Sequence, residues 1–141
     1  MAEIVRLTRA NQKISDQIDA LIKQLDAKKS CSLALLQVLV ASPAAELWVA
    51  QDEGSIVGMA TLTLSRRIEG EAAWVEDVII DESQRGKGLG KLLCQKMIER
   101  AMARGAYSLQ LTSRREREIA NKMYQKLGFE LHDTNAYRLK L

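Results

Sequence analysis

The sequence predicts an α/β fold of the α+β kind, built on one mixed and mostly antiparallel sheet. Three observations carry that expectation. Apolar residues first recur at helical spacing, then run through three strand-like segments, then return to helical spacing. Short turns rich in Gly, Asp and Ser separate the three segments, as in a meander of antiparallel strands. A glycine-rich turn then joins the last of them to an amphipathic helix and a further strand, and such a crossover produces a parallel pair.

Taken in order, Glu3 to Leu7 reads as a short strand. Thr8 or Asn11 caps a first helix in which Ile14, Ile18, Leu21, Ile22 and Leu25 recur at helical spacing. Lys28 to Ser30 breaks the pattern. Ser30 is the expected cap of a second helix through Leu33, Leu36, Val38 and Leu39, ending before Pro43, the only proline. Leu47–Ala50 and Ile56–Leu64 read as a hairpin about the turn Asp52-Glu53-Gly54-Ser55, and a turn at Ile68–Glu71 leads to a third strand, Ala72–Ile80. From about Gly88 to Arg104, Leu89, Leu93, Met97 and Ala101 recur every four residues while Lys91, Gln95 and Glu99 face away; Gly105 ends the helix. Tyr107–Thr112 is expected as a strand and Glu116–Leu127 as a helix stopped by Gly128. Thr112 or Ser113 is placed to form a capping box with Glu116. Phe129–His132 and Ala136–Leu141 read as two closing strands about Asp133-Thr134-Asn135. There is no repeat, low-complexity tract or linker, and 141 residues bound a single domain, 1–141.

Composition narrows the function classes. A net charge of +3 suits an anionic small ligand better than a polyanionic lattice, and an aromatic fraction of 4% leaves little for stacking bases, so no nucleic-acid partner is expected. No apolar run approaches the roughly 20 residues of a membrane span. The start, Met1-Ala2-Glu3-Ile4, lacks the basic and apolar regions of a secretory signal. Cys31 and Cys94 lie in apolar helical contexts and read as reduced thiols of a cytoplasmic protein. One histidine, His132, and two distant cysteines supply no metal cluster.

The most informative run is Gln84-Arg85-Gly86-Lys87-Gly88-Leu89-Gly90-Lys91, between the apolar strand ending at Ile80 and the helix. Alternate glycines let successive N–H groups turn inward, the helix adds the positive end of its dipole, and Arg85, Lys87 and Lys91 add charge: a site for a pyrophosphate. Two familiar phosphate motifs fail on spacing. A Walker A loop requires Gly five residues before Gly90, where Arg85 stands, and Ser or Thr after Lys91, where Leu92 stands; the dinucleotide fingerprint fails from either Gly86 or Gly88.

What remains is Arg-x-x-Gly-x-Gly, filled by Arg85, Gly88 and Gly90, and this resembles the acyl-coenzyme A pyrophosphate loop of the GNAT superfamily of N-acetyltransferases. Downstream, Asn121-Lys122-Met123-Tyr124 and Gly128-Phe129 are similar to the Asn-x-x-Tyr helix and Gly-Phe turn of that superfamily. The resemblance covers residues 72–139 well and the first 70 loosely. It implies a GNAT fold with helices on both faces of the sheet, which splays at the acyl-coenzyme A site, and a cosubstrate, acetyl-coenzyme A, with no metal. Arg85, Gly86, Lys87, Gly88, Leu89, Gly90 and Lys91 would then hold the pyrophosphate. The main chain of Val78, Ile79 and Ile80 would pair with pantetheine, one N–H, that of Val78, polarising the thioester carbonyl. Asn121 would contact the coenzyme.

The same resemblance points to a catalytic pair. Glu76, at a bulge before the splay, would take the amine's proton directly or through water, and Asp77 would bind the cationic acceptor. In a regular strand the two side chains point to opposite faces, so at most one would reach the amine. Tyr124, whose phenol has an ordinary pKa of about 10, would protonate the leaving thiolate. Plainer readings stand beside these: solvated or salt-bridged strand carboxylates, an exposed helix asparagine, and a helix tyrosine packed on Phe129. With no cysteine at the proposed centre, direct transfer to an amine is expected rather than an acyl-enzyme. The acceptor is expected to be a small molecule rather than a protein, and the last strands are expected to form a homodimer contact. Val75-Glu76-Asp77-Val78 is similar to the corresponding strand of glucosamine-phosphate acetyltransferases, a short match. The rival function is a non-catalytic acyl-coenzyme A sensor on the same fold.

Overall fold

Glu3–Leu7 (β1) lies antiparallel on Ala45–Asp52 (β2), which opens a meander with Ser55–Arg67 (β3) and Gly70–Ile80 (β4). These elements come from a computed structural model that describes residues 2–141. Ser108–Gln110 (β5) joins β4 in parallel, giving the order β1-β2-β3-β4-β5 and the mixed, mostly antiparallel sheet that the patterning predicts. The contacts of the chain gather into two compact units, Met1–Leu111 and Thr112–Leu141.

In the first unit, helices cover both faces of the sheet. Gln12–Leu25 (α1) and Leu33–Ala41 (α2) bury Ile18, Leu21 and Leu36 against Leu7, Leu47, Val49, Met59 and Ile79. Leu89–Ala103 (α3) buries Leu89, Leu93, Met97 and Ala101 against Ala50, Ala60, Leu62, Ala73 and Val75 on the other face. The alternation Leu47/Val49 against Trp48/Ala50 divides β2 between these cores, as a twofold strand repeat requires. Of the two candidate caps, Asn11 starts α1: its Oδ1 accepts from the N–H of Ile14 at 2.9 Å. Ser32, not Ser30, caps α2, its Oγ accepting from Leu35 N–H at 3.2 Å, because the first helical residue is Leu33.

In the second unit, Glu118–Lys126 (α4) is two residues shorter at its start than the sequence suggests. The expected capping box is absent. Arg117 precedes the helix without a side-chain cap, and the Ser113 Oγ is buried with no hydrogen-bond partner. Neither of the two closing strands forms. Apolar alternation in Leu131, Tyr137, Leu139 and Leu141 supplies one face, but a strand also needs a ladder for its backbone, and these side chains stand exposed.

Candidate active site

The turn between β4 and α3 is built by local hydrogen bonds. Asp81 accepts from both the N–H and the hydroxyl of Ser83, closing a short 3₁₀ turn over Glu82–Gln84. Gln24 of α1 clamps the same place, donating to Asp81 Oδ1 at 2.7 Å and accepting from Glu82 N–H at 3.1 Å. The Ser83 and Gln24 bonds hold the Asp81 carboxyl below its usual range. Neither Gln24 nor Asp81 stands out in the sequence, since each is a polar residue on an exposed stretch.

Beyond this clamp, Gly86 and Gly88 adopt φ of 81° and 82°, left-handed backbone that side chains resist. Gly88 is the N-cap of α3 and offers no side chain, so no cap satisfies the first N–H groups of the helix. Leu89 anchors the helix in the core, whereas Lys87 and Lys91 are exposed. Arg85 turns back, donating from Nε to the Ile80 carbonyl at 3.2 Å, and Lys87 donates to Gln84 at 3.2 Å. A positive, uncapped helix start following two left-handed glycines is chemically matched to a pyrophosphate.

The strand before the turn is irregular where the sequence places Glu76 and Asp77. Thr61 pairs with Glu76 and Met59 with Ile79, so β4 carries one more residue than β3 in this interval. Asp77 takes up the difference with φ +53°. The bulge reverses the alternation: Ala73 and Val75 face α3, but so do Val78 and Ile80, while Ile79 faces α1 and α2. The expectation that Glu76 and Asp77 point to opposite faces is therefore corrected. Glu76 stands opposite Thr61 on the α1–α2 face, and Asp77 lines a cavity on that face with Ile18, Leu36 and Met59. Glu76 is exposed, and partial burial of its carboxyl, then the negative charge of Asp77, raise it above its ordinary pKa; Lys29 works against them. The Thr61 hydroxyl, on the same face, is buried without a hydrogen-bond partner.

The β4–β5 pair is short. Its register runs only from Ala72–Ser108 to Trp74–Gln110, so from Val75 to Ile80, β4 is paired on the β3 side alone. This is the splay, and Val78, Ile79 and Ile80 lie along it.

Tyr124 and Asn121 belong to the second unit. Tyr124 is buried, with Phe129 edge-on at 6.0 Å between ring centroids and 72° between planes. Asn121 Nδ2 donates to the Arg114 carbonyl at 3.0 Å, bracing the turn that precedes α4. Among the described residues no group of three or more His, Cys, Asp or Glu side chains is arranged to hold a metal ion, and no helix is long and apolar enough to cross a membrane.

A second charged constellation escaped the sequence reading. Glu46, 1% exposed, accepts from Arg100 Nε at 2.8 Å and Nη2 at 3.0 Å, from Arg104 Nη1 at 2.8 Å and from the Trp48 indole at 2.9 Å. Burial opposes its ionisation, but these bonds prevail and hold the carboxyl at a pKa of about 2. Lys96 and Arg100 lie over the Trp48 ring at 5.0 and 5.9 Å. The available signal was an acid inside an apolar strand together with two arginines four residues apart on one helix.

Known proteins share this architecture. A crystal structure of an acetyltransferase from Trypanosoma brucei superposes with a TM-score of 0.83 over 100% of both chains at 28% identity. The glucosamine 6-phosphate N-acetyltransferase of Trypanosoma brucei brucei is 38% identical over 86 residues, 59% of this chain and 56% of that protein. An L-methionine sulfoximine/L-methionine sulfone acetyltransferase of Pseudomonas aeruginosa is 36% identical over 95 residues, 67% of this chain and 51% of its own. The chain thus spans about half the length of the curated relatives it matches. The sequence pattern of the acetyltransferase (GNAT) family matches residues 15–129, most of the chain, and with the splayed sheet and the glycine turn this establishes that the protein belongs to that family.

Proposed function

We propose that this protein is an N-acetyltransferase that moves an acetyl group from acetyl-coenzyme A directly to a primary amine. The observation that carries the reading is the turn after β4: Gly86 and Gly88 in left-handed conformation feeding an α3 start that has no side-chain cap. Arg85, Lys87, Lys91 and the N–H groups of Gly88, Leu89 and Gly90 would hold the pyrophosphate. The unpaired stretch of β4, Val78 to Ile80, would offer its main chain to pantetheine, and Asn121 would add a contact from α4. The residue types fit this cosubstrate: N–H donors and cations for phosphates, and apolar side chains packed inward where only backbone is needed.

Transfer needs a neutral amine. Glu76, whose carboxyl is more basic than an ordinary glutamate, accepts a proton from the nitrogen while Asp77 holds the amine on the same face. The C–N bond forms as the C–S bond breaks, and the proton that the departing sulfur takes up comes from the Tyr124 hydroxyl. Glu76 then releases its proton to water and Tyr124 recovers one, so the net change is amine plus thioester to amide plus thiol. The small cavity beside Asp77 favours a small-molecule acceptor over a protein amine. Two free thiols suit a cytoplasmic setting, and the exposed alternation of Leu131, Tyr137 and Leu139 suits a homodimer.

Thermal unfolding with acetyl-coenzyme A, coenzyme A, ATP and NAD tests this. A ligand at about 100 times its dissociation constant adds roughly 2.7 kcal/mol. Stabilisation by the coenzyme A species alone is expected; no shift with either of them overturns the reading.

A further inference from the structure

Between α1, α2 and the sheet lies a cavity of about 130 Å³, walled mainly by Ile18, Ile22, Leu36, Leu39 and Met59, with Ser30 and Ser32 at one side. Asp77 is the one charged residue in its lining. The volume is close to the roughly 150 Å³ of an apolar protein cavity that takes up benzene. Asp77 is present there because of the bulge: in regular alternation the residue after Glu76 would face α3. The orphaned Thr61 hydroxyl and the Glu76 carboxyl lie on the same face, one register position along. The site thus joins an apolar chamber to a short polar ledge with two carboxylates and one hydroxyl.

We infer that the acceptor is a primary monoamine carrying a single apolar arm, an arylalkyl or alkyl group of about six to eight carbons, with the arm in this cavity and the ammonium on Asp77. This rests on the transferase reading above. The alternatives fit the walls poorly. A sugar phosphate would find only Ser30 and Ser32 as hydroxyl partners among these apolar walls, and its dianion would meet the Asp77 carboxylate. A polyamine would bring a second cation to a chamber whose lining has one carboxylate. A bare apolar molecule would fill the chamber but leave Asp77 unpaired. In the reaction the bound ammonium gives up one proton to reach its neutral form and a second as the C–N bond forms. Both leave through the Glu76 ledge to water, and the transfer itself is that written above.

The test begins with binding, without coenzyme. Cys31 lines the cavity and is half-buried, whereas Cys94 is fully buried and its thiol is pushed up to about 11, so maleimide labelling of the folded protein reads Cys31. Millimolar 2-phenylethylamine or hexylamine should slow this labelling severalfold; glucosamine 6-phosphate, spermidine and 2-phenylethanol should not. Asp77→Asn should weaken the amine's protection about tenfold, the loss of one charge-assisted contact. Leu35→Lys, at an exposed position on the rim, should weaken it similarly without emptying the core. With acetyl-coenzyme A present, kcat/KM for 2-phenylethylamine should exceed that for glucosamine 6-phosphate at least tenfold.

Absence of protection by either amine overturns the inference, as does equal protection by glucosamine 6-phosphate or the reverse kinetic ranking. If acetyl-coenzyme A stabilises the protein but the amines give no protection, the transferase reading stands and this one falls. If the amines protect Cys31 but no coenzyme A species binds, the cavity is an amine site and the transferase reading is what fails.

Discussion

Glu46 on β2 and Glu76 on β4 occupy the same sheet with β3 between them, yet their surroundings pull them in opposite directions. Glu46 sits in regular strand, deep under α3, and receives hydrogen bonds from two arginines and an indole. Glu76 sits beside a left-handed residue with a second carboxylate as its neighbour. One carboxylate is made more acidic by partners that fix it, the other more basic by partial burial and by the charge of its neighbour. The difference separates what a sheet does with charge when stability is at stake from what it does when a proton must be moved. A satisfied network rigidifies its surroundings; an exposed carboxylate beside a second one keeps a raised proton affinity and open exchange with water.

Replacing each glutamate by glutamine should separate the two roles. Glu76→Gln should lower kcat by about 10²–10⁴, the usual range for removing a general base, while leaving coenzyme binding unchanged and Tm no lower. Steady-state kinetics beside a thermal-shift titration reads both. Tyr124→Phe should likewise spare coenzyme affinity while cutting kcat. Activity surviving both changes would favour a different proton route; coenzyme binding with no transfer by the unaltered protein to any amine would favour the sensor function.

Glu46→Gln should do the reverse. The depression from 4.5 to about 2 corresponds to roughly 3 kcal/mol of stability held by the ionised form. A neutral amide keeps some hydrogen bonds, so a loss of about 2–3 kcal/mol in urea unfolding is expected, with kcat altered little. A large loss of activity in a folded Glu46→Gln protein would show that the α3 network reaches the site and would break the contrast.

Much of this contrast was unevenly legible in the sequence. The apolar periods gave the meander, and α3 falls within a residue of its expected bounds at both ends, because a buried stripe and a terminal glycine are local signals. Glu76 and Asp77 stand out through the family resemblance that places them before the splay, but their shared face does not. That depends on one inserted residue relative to β3, a property of the pairing and not of either strand. Glu46 is not legible because its two arginine partners lie 54 and 58 residues away. The two closing strands were expected from alternation alone, which marks a face but cannot supply a neighbour. Gln24, clamping Asp81 across 57 residues, is invisible for the same reason.

The opposed shifts also have opposed pH dependences. Glu46 has a folded pKa below its unfolded one, so its contribution is full above about 4.5 and is lost as pH falls toward about 2. Glu76 has a raised folded pKa, so its protonated form favours the native state. Its effect is most favourable below 4.5 and is lost as pH rises through the folded value. Urea unfolding across acidic pH should therefore show Glu46→Gln converging on the unaltered protein at the acid end. Glu76→Gln should differ from it only above 4.5, and in the stabilising direction. Parallel profiles for the two variants would contradict the contrast.

The smallest expected effect concerns the backbone that makes the contrast possible. Asp77 holds φ +53°, which Asp and Asn tolerate better than alanine because a short polar side chain can bond locally. Asp77→Asn should leave stability within about 0.5 kcal/mol, whereas Asp77→Ala should cost about 1 kcal/mol through the left-handed conformation alone. Deleting Asp77 outright would remove the bulge and restore regular alternation, with Val75, Val78 and Ile80 still facing α3 and Glu76 and Ile79 still on the other face. Equal stability of the Ala and Asn variants, measured by urea unfolding, would mean that the left-handed turn is held by its neighbours whatever side chain stands there. Reactivity at Glu76 would then depend on the pairing of β3 with β4 rather than on the identity of the residue at the bulge.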